Sequence, residues 1–383
     1  MGEASFFAVG FCRGRQKTFA LKNVTEALHT GLVECTLSVG REVGTEIPVY
    51  RWARCHSTSY LGRSGYAYCN VSRMLSWASI WRVFTPVYFF RPQQIFIRAW
   101  HELSWTSEIR RTVHLPWGLP ITIEANEAIG YNIATLGLYE TAVTETLWRL
   151  AAGDELAVDA GANIGYTASI LGARLGGKGR VLCFEPHPQV FASLRNNVAV
   201  WENSDRCAKF ELHQQALGSH DGKATLLTSD WFATNQGTAW ISTGGKEDGQ
   251  EELPIEMVQL DSIVKEHDEI GVLKIDVEGA ELDVLHGMSR LLAEHSVRDI
   301  LFEEVRSFPA PTHQYLKEKG YSIFGLEERF CGVRLLADAP ARFDPQIGPP
   351  PNYLATCDPS RAHRLLKPPF WRSFGLLKFV ANI

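Results

Sequence analysis

The feature that most constrains the fold of this chain is a regular alternation of short apolar runs with amphipathic stretches between residues 156 and 302. Apolar runs without polar interruptions are typical of strands that are buried on both faces of a sheet. Such strands, when helices separate them, form a parallel sheet covered on both sides, so the pattern predicts a doubly wound α/β domain. The predicted strands are 156–158, 181–184, 210–213, 272–275 and 300–302, and the predicted helices are 167–175, 190–199, 260–266 and 282–292.

The sequence on either side of this alternation predicts how the rest of the chain is organised. Two late runs, 321–326 and 353–356, predict an antiparallel pair that completes a seven-stranded sheet. Other local patterns predict a hairpin of 113–115 with 121–123, a helix over 141–150, and a side hairpin of 224–227 with 255–258. We therefore divide the chain into an N-terminal extension (1–72) without predicted elements, an aromatic-rich helical segment (73–110), the α/β domain (111–358) and a C-terminal tail (359–383).

Charge and cysteine spacing exclude some classes of protein. The chain has 38 Lys and Arg residues against 43 Asp and Glu, and a net charge of −5 disfavours a protein that coats nucleic acid. The eight cysteines are dispersed and form no Cys-x-x-Cys pair, which is typical of free thiols in a reducing compartment. The apolar stretch at residues 6–11 is too short for a secretory signal. We expect a cytoplasmic protein that does not bind nucleic acid.

Residues 74–105 are rich in aromatic side chains, which basic residues and a proline interrupt. The segment cannot span a bilayer, because a spanning helix needs ~20 consecutive and mostly apolar residues. An amphipathic element of this kind can rest on a membrane surface or cover a substrate pocket. It can equally pack on the main domain, which is the commoner use of a buried aromatic helix face. Peripheral membrane contact therefore stays open beside ordinary packing.

The strongest local signal lies at residues 158–167, Val-Asp-Ala-Gly-Ala-Asn-Ile-Gly-Tyr-Thr, where a strand passes through a turn into a helix. Gly161 and Gly165 let the backbone turn tightly and approach a ligand closely. A dinucleotide fingerprint needs a third glycine and a P-loop needs a Lys-Ser/Thr pair, and the turn has neither. Asp159 at the strand end would repel a pyrophosphate, whereas it can pair with an ammonium group.

A second acid, Glu185, follows the next apolar run and precedes Pro186. In a doubly wound sheet this strand end faces the cofactor crevice, and a carboxylate there can accept two hydrogen bonds from ribose hydroxyls. Asp159 for an ammonium, Glu185 for a ribose and the lack of a phosphate cradle together favour S-adenosylmethionine over a nicotinamide dinucleotide.

Charged residues alternate at a third strand end, Leu-Lys-Ile-Asp-Val-Glu-Gly over 273–279. Along an extended chain Lys274, Asp276 and Glu278 would project to one side, where Lys274 can compensate the two acids. A carboxylate here can hold the cofactor's ammonium, orient a substrate hydroxyl or accept its proton, and the alternative is an ion-pair network at a strand end. Hard cations also favour carboxylate oxygens, but Lys274 already supplies a counter-charge, so we predict no metal.

In combination these stretches resemble the FkbM family of S-adenosylmethionine-dependent methyltransferases. The resemblance runs from about Val113 to Thr356 and includes Gly-Leu-Tyr-Glu at 137–140, Ala-Leu-Gly at 216–218, Leu-Asp at 260–261 and Glu303. It implies the seven-stranded Rossmann-like methyltransferase fold and, usually, methylation of a substrate hydroxyl. The cofactor-binding residues that it implies are Asp159, Gly161, Ala162, Asn163, Ile164 and Gly165 for the methionine part, Glu185 for the ribose, Gln215 and Ala216 near the adenine, and Asp276.

The sequence thus predicts an S-adenosylmethionine-dependent O-methyltransferase that acts on a small-molecule or glycan-like hydroxylated acceptor. An alcohol is a poor nucleophile, so a carboxylate or imidazole is expected near its proton, and the candidates are Asp276, Glu278 and Glu303. Two other readings remain. A scaffold protein could have kept the methyltransferase fold as a binding module, although the intact acids argue against it. A nucleotide-dependent oxidoreductase is disfavoured by the missing third glycine.

Overall fold

The computed structural model describes residues 6–12, 15–21, 86–103, 110–125, 127–203, 207–228, 239–241, 251–306, 308–337 and 351–375. The chain divides into two compact units, Met1–Ala78 with Asp344–Gly348, and Ser79–Phe343 with Pro349–Ile383. In the first unit, β1 (Phe6–Cys12) and β2 (Arg15–Leu21) form an antiparallel hairpin. The sequence pattern did not predict these strands, because their apolar residues do not alternate. The rest of the extension lies outside the described residues.

The second unit contains the predicted α/β domain. It begins with α1 (Pro86–Phe90), α2 (Gln93–Leu103), the hairpin β3 (Arg110–His114) and β4 (Pro120–Glu124), α3 (Ala128–Leu136) and α4 (Thr141–Leu150). The alternating part is β5 (Leu156–Ala160), α5 (Tyr166–Leu175), β6 (Arg180–Phe184), α6 (Pro188–Trp201) and β7 (Lys209–His213). It continues through β8 (Ala216–Leu217), β9 (Gly222–Thr228), β10 (Ala239–Ile241), β11 (Glu251–Val258), α7 (Leu260–Ile263), β12 (Ile270–Ile275), α8 (Glu281–His286), α9 (Ser289–Ala293) and β13 (Val297–Glu303). The last elements are α10 (Pro311–Glu318), β14 (Ser322–Arg329), β15 (Gly332–Leu336), β16 (Asn352–Thr356) and α11 (Pro359–Leu366).

The main sheet has the order β15-β14-β16-β13-β12-β5-β6-β7. Strands β7, β6, β5, β12 and β13 are parallel, and β16 lies antiparallel between β13 and β14. All seven predicted strands are confirmed, and the sheet is a Rossmann-like methyltransferase sheet. The eighth strand, β15, was not predicted. It extends the edge as the hairpin partner of β14 and is only partly buried, so it lacks the continuous apolar signature of the inner strands.

Strand order reverses between β5 and β12, because the chain runs from β5 outward to β7 on one side and from β12 to β13 on the other. Ligands of open α/β sheets bind at such a switch point, in the crevice outside the carboxyl ends of the strands. The register places Asp159 of β5 directly beside Lys274 of β12. The sheet topology therefore brings two of the charged motifs together, although they are far apart in the sequence.

Both faces of the sheet are covered, as continuous apolar strands require. Alternate residues of each strand point to opposite sides: Ala157 and Val272 join a core with α4, α5 and α6, whereas Val158 and Leu273 join a core with α8, α9 and α10. The side hairpin is also confirmed, as β9 with β11 in a second sheet of order β10-β9-β11-β8.

Two predicted helices are shorter in the structure. The helix predicted over 260–266 ends at Ile263, and the one predicted over 282–292 is broken into α8 and α9. The break has a cause in α7: the Asp261 carboxylate accepts the backbone N–H groups of Arg290 (2.8 Å) and Leu291 (3.1 Å), so it caps a new helix start. A cap from a distant segment has no local sequence signature.

The segments at both ends of the second unit pack on its core. Val87 and Tyr88 of α1 are buried, and Arg91 donates to the Leu136 carbonyl at the end of α3 (3.2 Å). Trp371 and Phe374 belong to the predicted C-terminal tail, but they lie in the same core cluster as the α4 side chains. The side chains of Trp77, Trp81, Phe84, Trp100 and Trp105 lie outside the described part. No helix of the described residues is long and apolar enough to cross a membrane.

The C-terminal segment is held by buried polar groups of α4. The Arg149 guanidinium donates to the carbonyls of Leu365 and Pro368 (both 2.9 Å), and the Glu145 carboxylate accepts the backbone N–H groups of Arg372 (2.9 Å) and Ser373 (2.8 Å). These bonds satisfy backbone groups that would otherwise be buried without partners. Residues 359–375 therefore belong structurally to the α/β domain.

Candidate cofactor and active site

The turn after β5 needs both of its glycines. Gly161 has φ +76° and Gly165 has φ +96°, conformations that favour glycine. A Cβ at Gly161 would collide with the carbonyl oxygen of Asp276, and one at Gly165 would lie 2.8 Å from Leu194 Cδ1. The turn is also tied to the neighbouring strand, since the N–H groups of Gly161 and Ala162 donate to the Phe184 carbonyl (3.0 and 2.9 Å). The tip of β5 is therefore fixed between β6 and β12.

Asp159, at the tip of β5, is completely buried and lacks a hydrogen bond of ordinary geometry to either carboxylate oxygen. Burial raises its pKa to about 6, while the Lys274 ammonium works in the opposite direction and the Ala168 backbone N–H stabilises the charge only weakly. Buried carboxylates normally have donors, because an unpaired one is costly. An ammonium supplied by a ligand is a donor of the kind that this carboxylate lacks.

Glu185, at the end of β6, is held in place by backbone amides. Its Oε2 accepts the Asn163 N–H (3.0 Å) and its Oε1 accepts the His187 N–H (2.9 Å). Burial raises its pKa to about 7 even though both amides favour the carboxylate. Each oxygen keeps a lone pair for a further donor. A fixed, acceptor-only group at this strand end suits the two hydroxyls of a ribose.

The predicted cofactor residues of the first turn divide into two kinds. Ala162 and Ile164 are buried in the core, so only their backbone faces the turn. Asn163 has φ +49°, and its side chain accepts the Ile164 N–H (2.7 Å), so it stabilises the turn itself. Asp159 and Glu185 are therefore the groups of this region whose side chains have acceptor capacity left for a ligand.

Lys274 is the cation at the centre of the site. Its Nζ lies 3.0 Å from Asp276 and 3.8 Å from Asp159, and it donates to the Gly161 carbonyl (3.3 Å). Although burial opposes the charge, the carboxylates of Asp276, Asp159 and Glu140 raise the Lys274 pKa above its ordinary value. The predicted counter-charge is thus present, but it joins β5 to β12 and not Asp276 to Glu278.

The extended geometry assumed for residues 274–278 was wrong. Strand β12 ends at Ile275, and Glu278 has φ +49°, which is outside the extended region. Simple alternation therefore does not bring Lys274, Asp276 and Glu278 to one side. Glu278 is instead exposed at the rim of the crevice.

Four carboxyl groups influence one another at this edge of the sheet. Burial of Glu140 and partial desolvation of Glu278, each reinforced by Asp276, raise the pKa of both groups to about 7. Burial, Asp276, Glu140 and Glu278 together raise the pKa of Glu303 to about 9, and a hydrogen bond with Asp276 adds to this. Raised carboxyl pKa values at a crevice, here those of Glu140, Glu278 and Glu303, are typical of a functional site. We name Glu140, Asp276, Glu278 and Glu303 the acid cluster.

Sequence reasoning missed Glu140 as a member of the acid cluster. It lies in the loop before α4, with a left-handed φ of +41°, and reaches the site only because α4 packs beside β12. Its signal was present in the Gly-Leu-Tyr-Glu stretch at 137–140, but no spacing rule connects this loop to the later strand ends. Backbone strain at a non-glycine residue is a feature that functional sites often carry.

The residues predicted near the adenine lie at the junction with the small sheet. Gln215 donates to the Glu256 carboxylate (3.2 Å), and Ala216 is buried in β8, where it pairs with Met257. The preceding His213 stacks on Phe184 (4.6 Å between ring centroids), and its carbonyl accepts the Glu185 N–H (3.1 Å). Their contact with an adenine stays a prediction. Within the described residues, no group of three or more His, Cys, Asp or Glu could hold a metal ion.

The strand order and the acids at the carboxyl ends of β5, β6 and β12 define the class of this domain, a Rossmann-like methyltransferase. Residues 159–323 match the family described as Methyltransferase FkbM domain. This stretch of the chain is therefore similar to FkbM methyltransferases, as its motifs led us to expect.

Two proteins to which the chain is similar are also methyltransferases by name. The chain is 34% identical over 167 residues to Hexuronic acid methyltransferase AglP of Haloferax volcanii, a match that covers 43% of this chain and 62% of that protein. It is 27% identical over 242 residues to Methyltransferase sdnD of Sordaria araneosa, covering 53% of this chain and 90% of the other. The match to AglP thus spans less than two thirds of that protein.

A solved structure of a protein with the same family name can also be superimposed. The crystal structure of Methyltransferase FkbM from Methylobacillus flagellatus is 19% identical, and the superposition covers 60% of this chain and 56% of that one with a TM-score of 0.34. At this level the superposition adds nothing to the fold assignment, which rests on the sheet order of the chain itself.

Proposed function

We propose that the chain is an S-adenosylmethionine-dependent methyltransferase that methylates a hydroxyl group of a small-molecule or glycan-like acceptor. The observation that carries the proposal is the pair of buried carboxylates at adjacent strand ends: Asp159 has no hydrogen bond of ordinary geometry, and Glu185 is fixed by two backbone amides. The family match supports it. The hexuronic acid named for AglP supports a sugar-like acceptor by similarity alone.

The residues of the crevice fit this cofactor better than a dinucleotide. Asp159 and Asp276 offer carboxylate oxygens to an ammonium, and Glu185 offers acceptors to ribose hydroxyls. A pyrophosphate would instead meet the negative Asp159 without the third glycine that lets it approach the backbone. When bound, the sulfonium supplies an electrophilic methyl group.

The chain must chiefly hold the acceptor oxygen in line with that methyl group and exclude water. Its second task is to accept the hydroxyl proton, and the acid cluster offers the candidates. A base works best when its pKa lies near the working pH. Glu278, with a pKa raised to about 7 by partial desolvation and by Asp276, meets this condition at the rim of the crevice.

The other members of the cluster have different tasks in this proposal. Asp276 is the carboxylate that Lys274 contacts at 3.0 Å, so it is anchored and can orient the acceptor hydroxyl or the cofactor ammonium. Glu303, with a pKa raised to about 9 by burial and by Asp276, keeps its proton at neutral pH and is suited to donate a hydrogen bond. Because Glu303 is already protonated, its task is to orient Asp276 through a hydrogen bond and not to accept the proton of the acceptor hydroxyl.

The charge of the acid cluster also bears on the acceptor. The four carboxyl groups of the cluster influence one another's ionisation, and within the described residues Lys274 forms its ion pair with one of them, Asp276. Like charges at a poorly solvated site cost free energy, so the ionised acids of the cluster favour a neutral acceptor. The protonated Glu303 can instead donate a hydrogen bond to an acceptor carboxylate, such as that of the hexuronic acid named for AglP. Comparison of neutral sugars with uronates as acceptors decides between the two.

Calorimetric titration of the full chain with S-adenosylhomocysteine tests the cofactor assignment. We expect micromolar affinity in the wild type and a loss of at least ~tenfold in Glu185→Ala, because the variant lacks both ribose acceptors. Glu266→Ala, which removes an exposed acid elsewhere, is the matched control and should bind as the wild type does.

Three outcomes would contradict the proposal or one of its assignments. A folded chain that binds no S-adenosylhomocysteine would favour a scaffold protein with a retained methyltransferase fold. Binding of NAD alone, measured in parallel, would favour a nucleotide-dependent oxidoreductase. Unchanged affinity in Glu185→Ala would remove the ribose assignment.

The proposal includes a cytoplasmic setting. The cysteines are dispersed along the chain, and the thiols of Cys183 and Cys207 are free and buried, with pKa values raised by burial. Free thiols persist in reducing compartments. Fractionation of cells that express the tagged chain tests this, and recovery from the secreted fraction would contradict it.

A further inference from the structure

Large apolar side chains are exposed mainly in one region of the second unit. Phe89, Phe330 and Phe370 are exposed to 63%, 47% and 57%, and we name these three residues the aromatic patch. Phe96 and Ile97 on the adjoining α2 are also exposed. Within the described residues the other exposed large apolar side chains are Val200 and Val305. Contiguous exposed apolar surface usually marks an interaction site.

The aromatic patch is assembled from three distant segments. The Phe89 ring of α1 lies 4.9 Å from the Phe330 ring of the β14–β15 turn. Phe90 bridges the group, with ring centroids 5.7 Å from Phe330 and 6.4 Å from Phe370. The Phe370 N–H also donates to the Cys331 carbonyl (2.8 Å). The patch is therefore a preformed surface held by the fold.

Phe370 is exposed at a conformational cost. It has φ +74°, a left-handed conformation that is strained for a bulky residue. The fold maintains this strain while more than half of the side chain faces solvent. Burying the rings of the aromatic patch would lower the free energy of the folded chain. Their exposure beside a strained residue therefore indicates a binding partner.

Positive charge accompanies the aromatic patch. Residues 359–375 contain four Arg or Lys residues and no Asp or Glu, although the whole chain has a net charge of −5. Arg364, Lys367 and Arg372 of this segment are exposed, and the last two lie within three residues of Phe370. We name these three residues the basic segment.

We propose that the aromatic patch and the basic segment dock on an anionic lipid bilayer. Aromatic rings with adjacent Lys and Arg side chains are the chemistry that such a surface recognises, because the rings enter the interface and the cations meet the headgroups. A second copy of the chain fits less well, since a two-fold interface would bring the positive basic segments face to face.

Sedimentation of the full chain with vesicles tests the docking. We expect binding to phosphatidylcholine vesicles that contain phosphatidylserine, little binding to phosphatidylcholine alone, and release by high salt. Phe89→Ser with Phe370→Ser, and separately Arg364→Gln with Lys367→Gln, should each lower the vesicle affinity at least ~tenfold. Val200→Ser and Lys265→Gln alter exposed residues elsewhere and are the matched controls.

Thermal unfolding and S-adenosylhomocysteine titration of every variant show whether it has folded. If the phenylalanine variant does not fold, the charge variant still tests the proposal. The proposal is overturned if the wild type does not bind the anionic vesicles, or if both folded variants bind as tightly as the controls. A concentration-dependent dimer that Phe370→Ser dissociates, without vesicle binding, would assign the patch to a second copy of the chain.

Discussion

The two ends of the central strands differ in whether their acidic side chains have basic partners. At the amino end, Arg298 makes two bonds to Glu155 (2.6 and 3.1 Å) and one to Asp299 (2.9 Å), and Arg361 also reaches Asp299 (2.9 Å). Each acid there has a guanidinium partner with good geometry. At the carboxyl end of the same strands, Asp159 (3.8 Å) and Asp276 (3.0 Å) share the single ammonium of Lys274 within the described residues.

The comparison separates the structural charges from those available to ligands. Satisfied ion pairs at the amino end fix the strand starts and the C-terminal helix α11. The carboxyl end leaves acceptor capacity unused and carries raised carboxyl pKa values, which cost stability in the ligand-free chain. A fold keeps such an arrangement where a ligand supplies the missing donors.

The largest effect is expected at the satisfied end. Asp299→Ala would leave Arg298 and Arg361 without their shared acid and remove the acceptor of the Thr356 hydroxyl (2.6 Å). Because Asp299 is completely buried, we expect a loss of about 3–5 kcal/mol in the free energy of unfolding. Urea unfolding measures it. Cofactor affinity of the folded fraction should stay unchanged, and a variant that lost affinity while keeping its stability would break the comparison.

The next effect is expected on turnover, at the unsatisfied end. Glu278→Gln removes the proposed base and should lower kcat about a hundredfold, while Asp276→Asn should also act mainly on turnover. The wild-type rate should rise with pH through about 7, as the Glu278 carboxylate forms, and the variant should lose this limb. Steady-state rates with a neutral hydroxylated acceptor measure both.

Glu318→Gln alters an exposed acid on α10 and serves as the control for that measurement. Its pH profile should follow the wild type. If the rate of Glu278→Gln still rises with pH through about 7, the base is another member of the acid cluster. Asp276→Asn is then the variant to compare.

Sequence reasoning succeeded where the signal is local. The inner strands of the sheet are buried on both faces, so their apolar runs could be recognised directly, and Asp159, Glu185 and Asp276 follow those runs immediately. Sequence reasoning failed where an element depends on distant partners. The edge strand β15 has no apolar signature, and the break between α8 and α9 depends on a cap from Asp261.

The same distinction applies to the site. Lys274 was expected beside Asp276 and Glu278 by alternation, but its second partner, Asp159, comes from the register of β5 with β12. Glu140 enters through the packing of α4, which no spacing in the sequence encodes. Local pattern therefore identifies the strand-end acids, whereas the tertiary fold decides which of them share a counter-charge.

The smallest predicted effect is on the pH dependence of stability, and its direction tests whether Asp159 is unsatisfied. Asp159 has a folded-state pKa of about 6 and an ordinary value of 3.8, so the folded chain retains a proton that the unfolded chain loses between these pH values. Stability must therefore fall as pH rises through this window, and the cost is fully present above it. Asp159→Asn removes the titration and should stabilise the ligand-free chain by up to about 3 kcal/mol at pH near 8, with little gain at pH near 4.

Urea unfolding of both proteins at the two pH values measures this difference. The raised carboxyls of Glu140 and Glu278 act in the same direction, but they are present in both proteins and cancel in the comparison. Asp159 also raises the pKa of Glu185, so the variant should lower that pKa and add to the gain at high pH. Saturating S-adenosylhomocysteine should stabilise the wild type more than the variant, because its ammonium supplies the donor that Asp159 lacks. A variant that is equally altered at both pH values would mean that the buried carboxylate of Asp159 is already satisfied, and the contrast between the two ends of the sheet would then rest on the acid cluster alone.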